Sequence, residues 1–366
     1  MKESTRIAKV ILLTPLSKIY GMVTFMRNKF FDWNILKSES FNIPVICVGN
    51  IAVGGTGKTP HTEYIIRMLM QDYNIGVISR GYKRMTSGFV MASSTSTPSD
   101  IGDEPFQIQQ KFGNKIRVAV CEKRVIGIKK LLKNDPSINL ILLDDAFQHR
   151  YVKPDISIVL TEYSRPVFED KLLPLGRLRE SKQAILSRAD MVIVTKCPED
   201  IKPMDFRLFK KKLELFPFQK LFFSRIKYDS LAPVFPENAT YIPMLEILNE
   251  DDIILTVTGI ANPRPLIKYL KKFKPQVKAM HFQDHHNFTR ADIKDIEDTY
   301  RNLNSKRFKI ILTTEKDAVR LATNPYVSFE LRRHIFYQPI NIEFLPYESE
   351  TFYGALIKSI AEIKHK

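Results

Sequence analysis

An α/β fold, with a mostly parallel sheet flanked by helices and a second, smaller α/β domain, is what the sequence predicts. Three observations carry it. An apolar, β-branched run at 45–48 empties into a glycine-rich turn, and Lys58-Thr59 then opens a helix through Tyr64, Ile65, Ile66, Met68 and Leu69. Short apolar runs and helical patterns alternate along the chain, as crossover connections between parallel strands require. The alternation lapses after about residue 200 and resumes at 253, so a chain of 366 residues divides into more than one core.

The turn contains Gly54-Gly55-Thr56-Gly57-Lys58-Thr59. Its glycines let backbone N–H groups turn inward on a polyphosphate, and the helix N-terminus adds partial positive charge. Gly54, Gly55, Thr56 and Gly57 then line the phosphates, Lys58 reaches the β- and γ-phosphates, and the Thr59 hydroxyl holds Mg²⁺. Strand, glycine loop, Lys-Thr and helix in that order are P-loop NTPase-like, although the usual G-x-x-x-x-G-K-[ST] pattern has glycine where this chain has Ala52. A second stretch supports the reading. The apolar run 140–143 leads directly into Asp144-Asp145, the strand-end carboxylates that partner such a loop in holding a metal. Gln148 and His149 follow at the same mouth.

The run 75–78 ends in Ser79-Arg80-Gly81-Tyr82-Lys83-Arg84, past the carboxyl end of a strand, where open α/β sheets place ligands. Arg80 suits a phosphate and Tyr82 a sugar face, with a solvated loop as the plain alternative. A Ser/Thr-rich loop, 86–100, precedes Gly102-Asp103-Glu104-Pro105, whose carboxylates suit helix capping, metal binding or general-base work equally. A strand at 117–120, a helix at 125–132 and strands at 156–160 and 191–195 complete the first alternation. Between the last two strands, a compact turn at 173–180 presents Arg177 and Arg179, suited to bidentate phosphate contact.

Two nucleotide-binding classes are disfavoured. Pro198 stands where a guanine-binding GTPase carries aspartate, and Val53 where the K-G-G-x-G-K-[ST] ATPases carry lysine. A proline-rich linker is expected near 225–250. Beyond it come strands at 253–257, 277–282 and 309–312, with helices at 266–273 and 291–303. Asp284-His285-His286 follows a strand with no third ligand at metal spacing, so the histidines orient another group, handle a proton, or flank a helix cap.

The net charge of +16 predicts an anionic partner. The basic residues form no aromatic-interleaved stripe, which argues against nucleic acid. Residues 1–40 combine Lys2, Arg6, Lys9, Lys18, Arg27, Lys29 and Lys37 with apolar positions at helical spacing and with Phe30, Phe31 and Trp33. Lys9, Pro15 and Lys18 oppose a membrane span, since one mid-membrane lysine costs roughly 3 kcal/mol. A basic amphipathic helix on an anionic membrane surface is expected, or else a helix packed on the protein's own core. Cys47, Cys121 and Cys197 are scattered and form no C-x-x-C pair, which fits a reducing cytosol.

Taken together, these motifs resemble the tetraacyldisaccharide 4′-kinases (lipid A 4′-kinases) of Gram-negative envelope synthesis. The resemblance rests on Val48-Gly49-Asn50, the loop Gly54 to Pro60, Ser79-Arg80-Gly81-Tyr82, Gly102-Asp103-Glu104-Pro105, Asp144-Asp145-Ala146-Phe147-Gln148-His149-Arg150, the turn Pro174 to Glu180, Asp284-His285-His286 and Thr314-Glu315-Lys316-Asp317, in family order. Ala52 is no departure from that family's loop, whereas Ala146 stands where the family has glycine.

The resemblance implies an enzyme that transfers the γ-phosphoryl group of ATP to the 4′-hydroxyl of a tetraacylated glucosamine disaccharide 1-phosphate. It implies Mg²⁺ on Thr59, Asp144 and Asp145, and Asp103 as the base, oriented by His285 or His286. Arg179 would meet the nucleotide, and Arg80, Tyr82, Gln148 and His149 the disaccharide. It also implies a peripheral or monotopic monomer on the cytoplasmic face of the inner membrane. The expected division is then 1–40 as a membrane-associating helix, 41–228 as the P-loop kinase domain and 229–366 as the smaller domain. A soluble small-molecule P-loop kinase and a membrane-associated ATPase switch are the competing readings.

Overall fold

The structure, a computed structural model, describes residues 2–284, 286–346 and 348–364. Among them the strands form two sheets. The larger has nine strands in the spatial order Ile340–Phe344, Lys220–Tyr228, Met191–Thr195, Ile156–Glu162, Val45–Asn50, Leu140–Asp144, Ile75–Ser79, Arg117–Val120 and Val90–Met91. Its inner pairs are all parallel, and only the two outermost strands run antiparallel. Val45–Asn50 is central and buried along its whole length. Val45 and Cys47 face one apolar core while Ile46 and Val48 face another. A strand covered on both faces needs an unbroken apolar run, which is what the sequence supplies here.

The smaller sheet has the order Gln276–His281, Ile253–Thr258, Lys309–Thr314, Ile335–Gln338 and Ala232–Pro233, with only the last strand antiparallel. Every strand expected from sequence forms, with ends shifted by one or two residues. Two were missed. Lys220–Tyr228 mixes charged and aromatic residues with no clean period, and its end overlaps the expected linker. Ile340–Phe344 pairs antiparallel with it.

The C-terminus therefore departs from the sequence division. Residues 340–344 close the larger sheet, and the helix Glu348–Lys364 places Phe352, Leu356 and Ile360 in that sheet's core. The smaller sheet is an insertion whose two connections lie side by side. The Asp229 N–H donates to the Pro339 carbonyl at 3.1 Å, and Asn341 Nδ2 donates to Asp229 Oδ2 at 2.8 Å.

A 31-residue helix, Lys2–Asp32, carries the N-terminus. No helix among the described residues is long and apolar enough to cross a membrane. One face of this helix is tied down. Ser17 Oγ donates to the Leu172 carbonyl at 2.9 Å, Tyr20 Oη to the Arg179 carbonyl at 3.1 Å, and Arg27 to the Gln148 carbonyl at 3.1 Å. Its other face exposes Ile11, Leu12, Leu16, Ile19, Met22, Val23 and Met26.

Candidate active site

The glycine loop leaves the central strand and meets the helix Lys58–Leu69 at Gly57, whose φ of +90° belongs to the left-handed region that glycine tolerates. The loop is anchored through its own carbonyls. Thr195 Oγ1 donates to the Thr56 carbonyl at 2.9 Å, and His61 Nδ1 lies 2.7 Å from the Gly57 carbonyl, where it donates. His61 Nε2 then accepts from Ser224 Oγ at 2.9 Å. Burial lowers the His61 pKa to about 4, so the ring is neutral and this tautomer persists at ordinary pH. Asn50 Nδ2 donates to Thr56 Oγ1 at 2.7 Å, and Gln148 Nε2 donates to the Asn50 carbonyl at 2.6 Å. Because these carbonyls are held by the sheet behind them, the loop's geometry is fixed by the protein alone.

The neighbouring strand Leu140–Asp144 delivers the two aspartates, because parallel pairing sets Val48 against Asp144. Lys58 Nζ lies 3.6 Å from Asp145 Oδ2, and Arg179 lies 3.6 Å from Asp145 Oδ1. Asp145 reaches this position with φ of +49°. Asp144 is buried and accepts from Thr62 Oγ1 at 3.0 Å. Burial first, and then the Asp145 charge, push Asp144 up to about 7; Glu104 adds to this and Lys58 opposes it. Asp145 Oδ1 is buried without a hydrogen bond.

Two adjacent carboxylates, one of them destabilised as an anion and one with an unbonded oxygen, suit a divalent cation. No group of three or more His, Cys, Asp or Glu side chains at metal-binding distance exists among the described residues. Mg²⁺ asks for no more than one or two carboxylates when phosphates complete its shell, so these residues fit it.

The motifs around Arg80 and Asp103 meet through glycine backbones. A Cβ on Gly102 would stand 3.0 Å from the Tyr82 carbonyl oxygen, and one on Gly81 would stand 2.9 Å from the Ile101 carbonyl oxygen. Both glycines have positive φ, +89° and +71°. This contact puts the exposed Arg80 and Tyr82 beside Asp103, the first residue of the helix Asp103–Phe112. A similar contact joins Gly49 to Phe147, where a Cβ would stand 2.7 Å from the phenylalanine Cβ.

The second lobe docks on this same helix through charge. Arg320 Nη2 donates to Asp103 Oδ2, Lys316 lies 3.7 Å from both Glu104 and Asp284, and Lys111 lies 2.6 Å from both Glu63 and Glu315. Of the two histidines expected to orient Asp103, His286 instead pairs with Asp292 at 2.9 Å and stacks on Phe282, while His285 lies outside the described residues. Gln148 and His149, expected at the disaccharide, are hydrogen bonded to the protein. Gln148 Oε1 accepts from Arg179 at 3.4 Å, and His149 Nε2 accepts from the Arg124 N–H at 3.3 Å. Burial, then Arg124, lower His149 to about 4.

Sequence reasoning missed Thr62, His61 and Arg320. The first two sit three and two residues beyond Thr59 on one helix, where spacing could have shown them. Arg320 lies in the second lobe, and nothing local announces it.

A phosphate loop on the central strand, acidic groups on its neighbour and a second lobe beside the mouth define a P-loop nucleotide-binding protein. The tetraacyldisaccharide-1-P 4′-kinase family model matches residues 9–361, and the chain belongs to that family. It is 48% identical over 358 residues to the tetraacyldisaccharide 4′-kinase of Bacteroides thetaiotaomicron, covering 96% of this chain and 93% of that one. It is 41% identical over 351 residues to that of Flavobacterium johnsoniae, covering 96% and 97%. Among solved structures it is similar to LpxK from Aquifex aeolicus in complex with ATP, at 25% identity and a TM-score of 0.71, covering 96% of this chain and 99% of that one.

Proposed function

We infer that the chain is an ATP-dependent phosphotransferase that phosphorylates the 4′-hydroxyl of a tetraacylated glucosamine disaccharide 1-phosphate, a step of lipid A synthesis. Family membership along nearly the whole chain supports the substrate. The observation that carries the chemistry is the anchored glycine loop with Lys58 and Arg179 converging on Asp145. A triphosphate brings more negative charge than one carboxylate and competes for both cations. Loop amides, Lys58 and Arg179 then stabilise the β- and γ-phosphates as charge redistributes.

The acceptor oxygen bonds to the γ-phosphorus as the β,γ-bridging bond breaks and ADP leaves, and Asp103 takes the hydroxyl proton. Thr59, Asp144 and Asp145 would hold Mg²⁺, which supplies charge neutralisation between the phosphates when bound. Arg80 and Tyr82, which flank the glycine that meets the start of the Asp103 helix, face the sugar side. Gln148 and His149 shape that mouth by bracing the loop and Arg124. These role assignments extend the family's pattern to the residues this chain presents.

The N-terminal helix supplies the membrane contact in this reading. Its exposed apolar face lies on the same element that hydrogen bonds the Arg179 and Gln148 carbonyls, so lipid captured there arrives beside the phosphate loop. The protein works as a monomer, peripheral or monotopic, on the cytoplasmic face of the inner membrane, where ATP is available. A double Ile19→Asp, Val23→Asp variant alters only exposed positions. It is expected to lower binding to anionic phospholipid vesicles by roughly tenfold or more, since each buried aliphatic side chain contributes about 1.5–3 kcal/mol. Unchanged vesicle binding would remove the membrane from the proposal.

The direct test of the reaction is transfer of radiolabelled γ-phosphate to purified tetraacyldisaccharide 1-phosphate, with wild type beside Lys58→Ala. Labelled lipid with wild type, formed about 10²–10³-fold more slowly with Lys58→Ala, is the expected result. ATP hydrolysis without labelled lipid would favour the ATPase-switch reading instead.

A further inference from the structure

Asp103 is the first residue of its helix, and its carboxylate is held from the opposite lobe. Arg320 Nη2 donates to Asp103 Oδ2, while Arg320 Nη1 donates to Asp317 Oδ1 at 3.3 Å and to the His286 carbonyl at 3.5 Å. The guanidinium side chain is only 6% exposed, Asp103 is 16% exposed and Asp317 is fully buried.

Asp317 is itself fixed. Its Oδ2 accepts from the Gly259 N–H at 2.9 Å and from Thr314 Oγ1 at 2.7 Å, at the carboxyl ends of two strands of the smaller sheet. A chain of polar contacts thus runs from the second sheet, through Asp317 and Arg320, to the carboxylate that meets the acceptor. One guanidinium between two carboxylates uses a planar fork that a lysine ammonium lacks.

We propose that Arg320 is a positioning residue for proton abstraction: it reaches across the lobe junction and sets the orientation of the Asp103 carboxylate. This rests on the reading of Asp103 as the proton acceptor. Arg320 keeps its own protons throughout and acts through the Asp103 carboxylate. Its effect is therefore confined to the chemical step, because reacting groups misplaced by about 1 Å can cost about 10²-fold. Joining the lobes and aiming the base become one event, so an open enzyme carries an unaimed base.

The experiment is a cycle of four proteins: wild type, Arg320→Gln, Asp103→Asn and the double variant, with Arg320→Lys beside them. Each is assayed for kcat and for the KM of ATP, and its unfolding midpoint is measured. Arg320→Gln is expected to lower kcat about 10²-fold with the KM of ATP changed less than about twofold. Arg320→Lys restores charge across the junction and is expected to recover kcat to within about tenfold of wild type. In the Asp103→Asn background, Arg320→Gln should cost less than about twofold more, since it acts through a carboxylate already gone.

Equal cost of Arg320→Gln in both backgrounds would overturn the proposal. So would a kcat loss in Arg320→Lys as large as in Arg320→Gln when both keep the wild-type midpoint. If Arg320→Gln does not fold, Arg320→Lys in the two backgrounds decides by the same comparison. Wild-type kcat in Asp103→Asn alone would instead overturn the role of Asp103, a separately recognisable failure.

Discussion

The phosphate loop and the lobe junction lie on either side of one mouth, and they are built from opposite materials. The loop is held by neutral hydrogen bonds to its own carbonyls, from Thr195 and His61, which the sheet has already buried. The junction is held by cations between carboxylates: Lys111 between Glu63 and Glu315, Lys316 between Glu104 and Asp284, Arg320 between Asp103 and Asp317. Neutral, buried bonds are insensitive to salt and give a cradle that is ready before its ligand comes. Charged pairs at a partly solvated seam respond to ionic strength and to an incoming polyphosphate. The contrast suits a rigid grip on ATP and a junction that completes the site only when it engages.

The largest break in this comparison comes from the base proposed at the junction. Asp103→Ala is expected to lower kcat about 10²–10⁴-fold in the lipid-phosphorylation assay, the usual range for removing a general base. On the loop side, Lys58→Ala removes one preorganised cation and should cost about 10²–10³-fold in kcat, read in the same assay.

Stability effects come next. Lys111→Met leaves Glu63, buried, and Glu315, nearly so, without their shared cation. Breaking a buried pair in this way typically costs about 3–5 kcal/mol, and urea unfolding will read it. The triple variant with Glu63→Gln and Glu315→Gln is expected to recover most of that loss; failure to recover would deny that charge is what the lysine balances.

The loop side makes a pH prediction. His61 has its pKa lowered from 6.5 to about 4 by burial, so the unfolded chain takes up a proton at a higher pH than the folded chain does. The stability it contributes is present above about pH 6.5 and is lost as pH falls toward 4, on the order of 3 kcal/mol in all. His61→Gln, neutral throughout, should flatten that slope in unfolding experiments run across the window. Asp144 points the other way. With its pKa raised from 3.8 to about 7, stability is lost as pH rises across that range. Asp144→Asn is therefore expected to raise the unfolding midpoint by several degrees at pH 8 in metal-free buffer, while it abolishes phosphotransfer.

The loop was legible in sequence and the junction was not, for a physical reason. A strand, three glycines and Lys58-Thr59 lie within sixteen residues, and parallel pairing of neighbouring strands places Asp144 beside them with little freedom. The Gly81 and Gly102 motifs were visible as separate signals, but that each exists to let the other's backbone approach is visible only in three dimensions. Glu315 stands in a family motif with no contact assigned to it and Arg320 stands in none, and only the fold carries them over to Lys111 and Asp103. The resemblance to a known family supplied the acceptor, which no residue pattern encodes. The strand Ile340–Phe344 escaped because its partner precedes it by more than a hundred residues.

That late strand has a consequence for biosynthesis. Lys220–Tyr228 leaves the ribosome long before the segment that shields its outer edge, and the entire second lobe is made in between. For that interval a growing chain presents an unpaired, phenylalanine-bearing margin, the kind that recruits other chains. The residues that seal the first domain are thus translated only after the whole second lobe, and their removal should show as aggregation before it shows as lost catalysis.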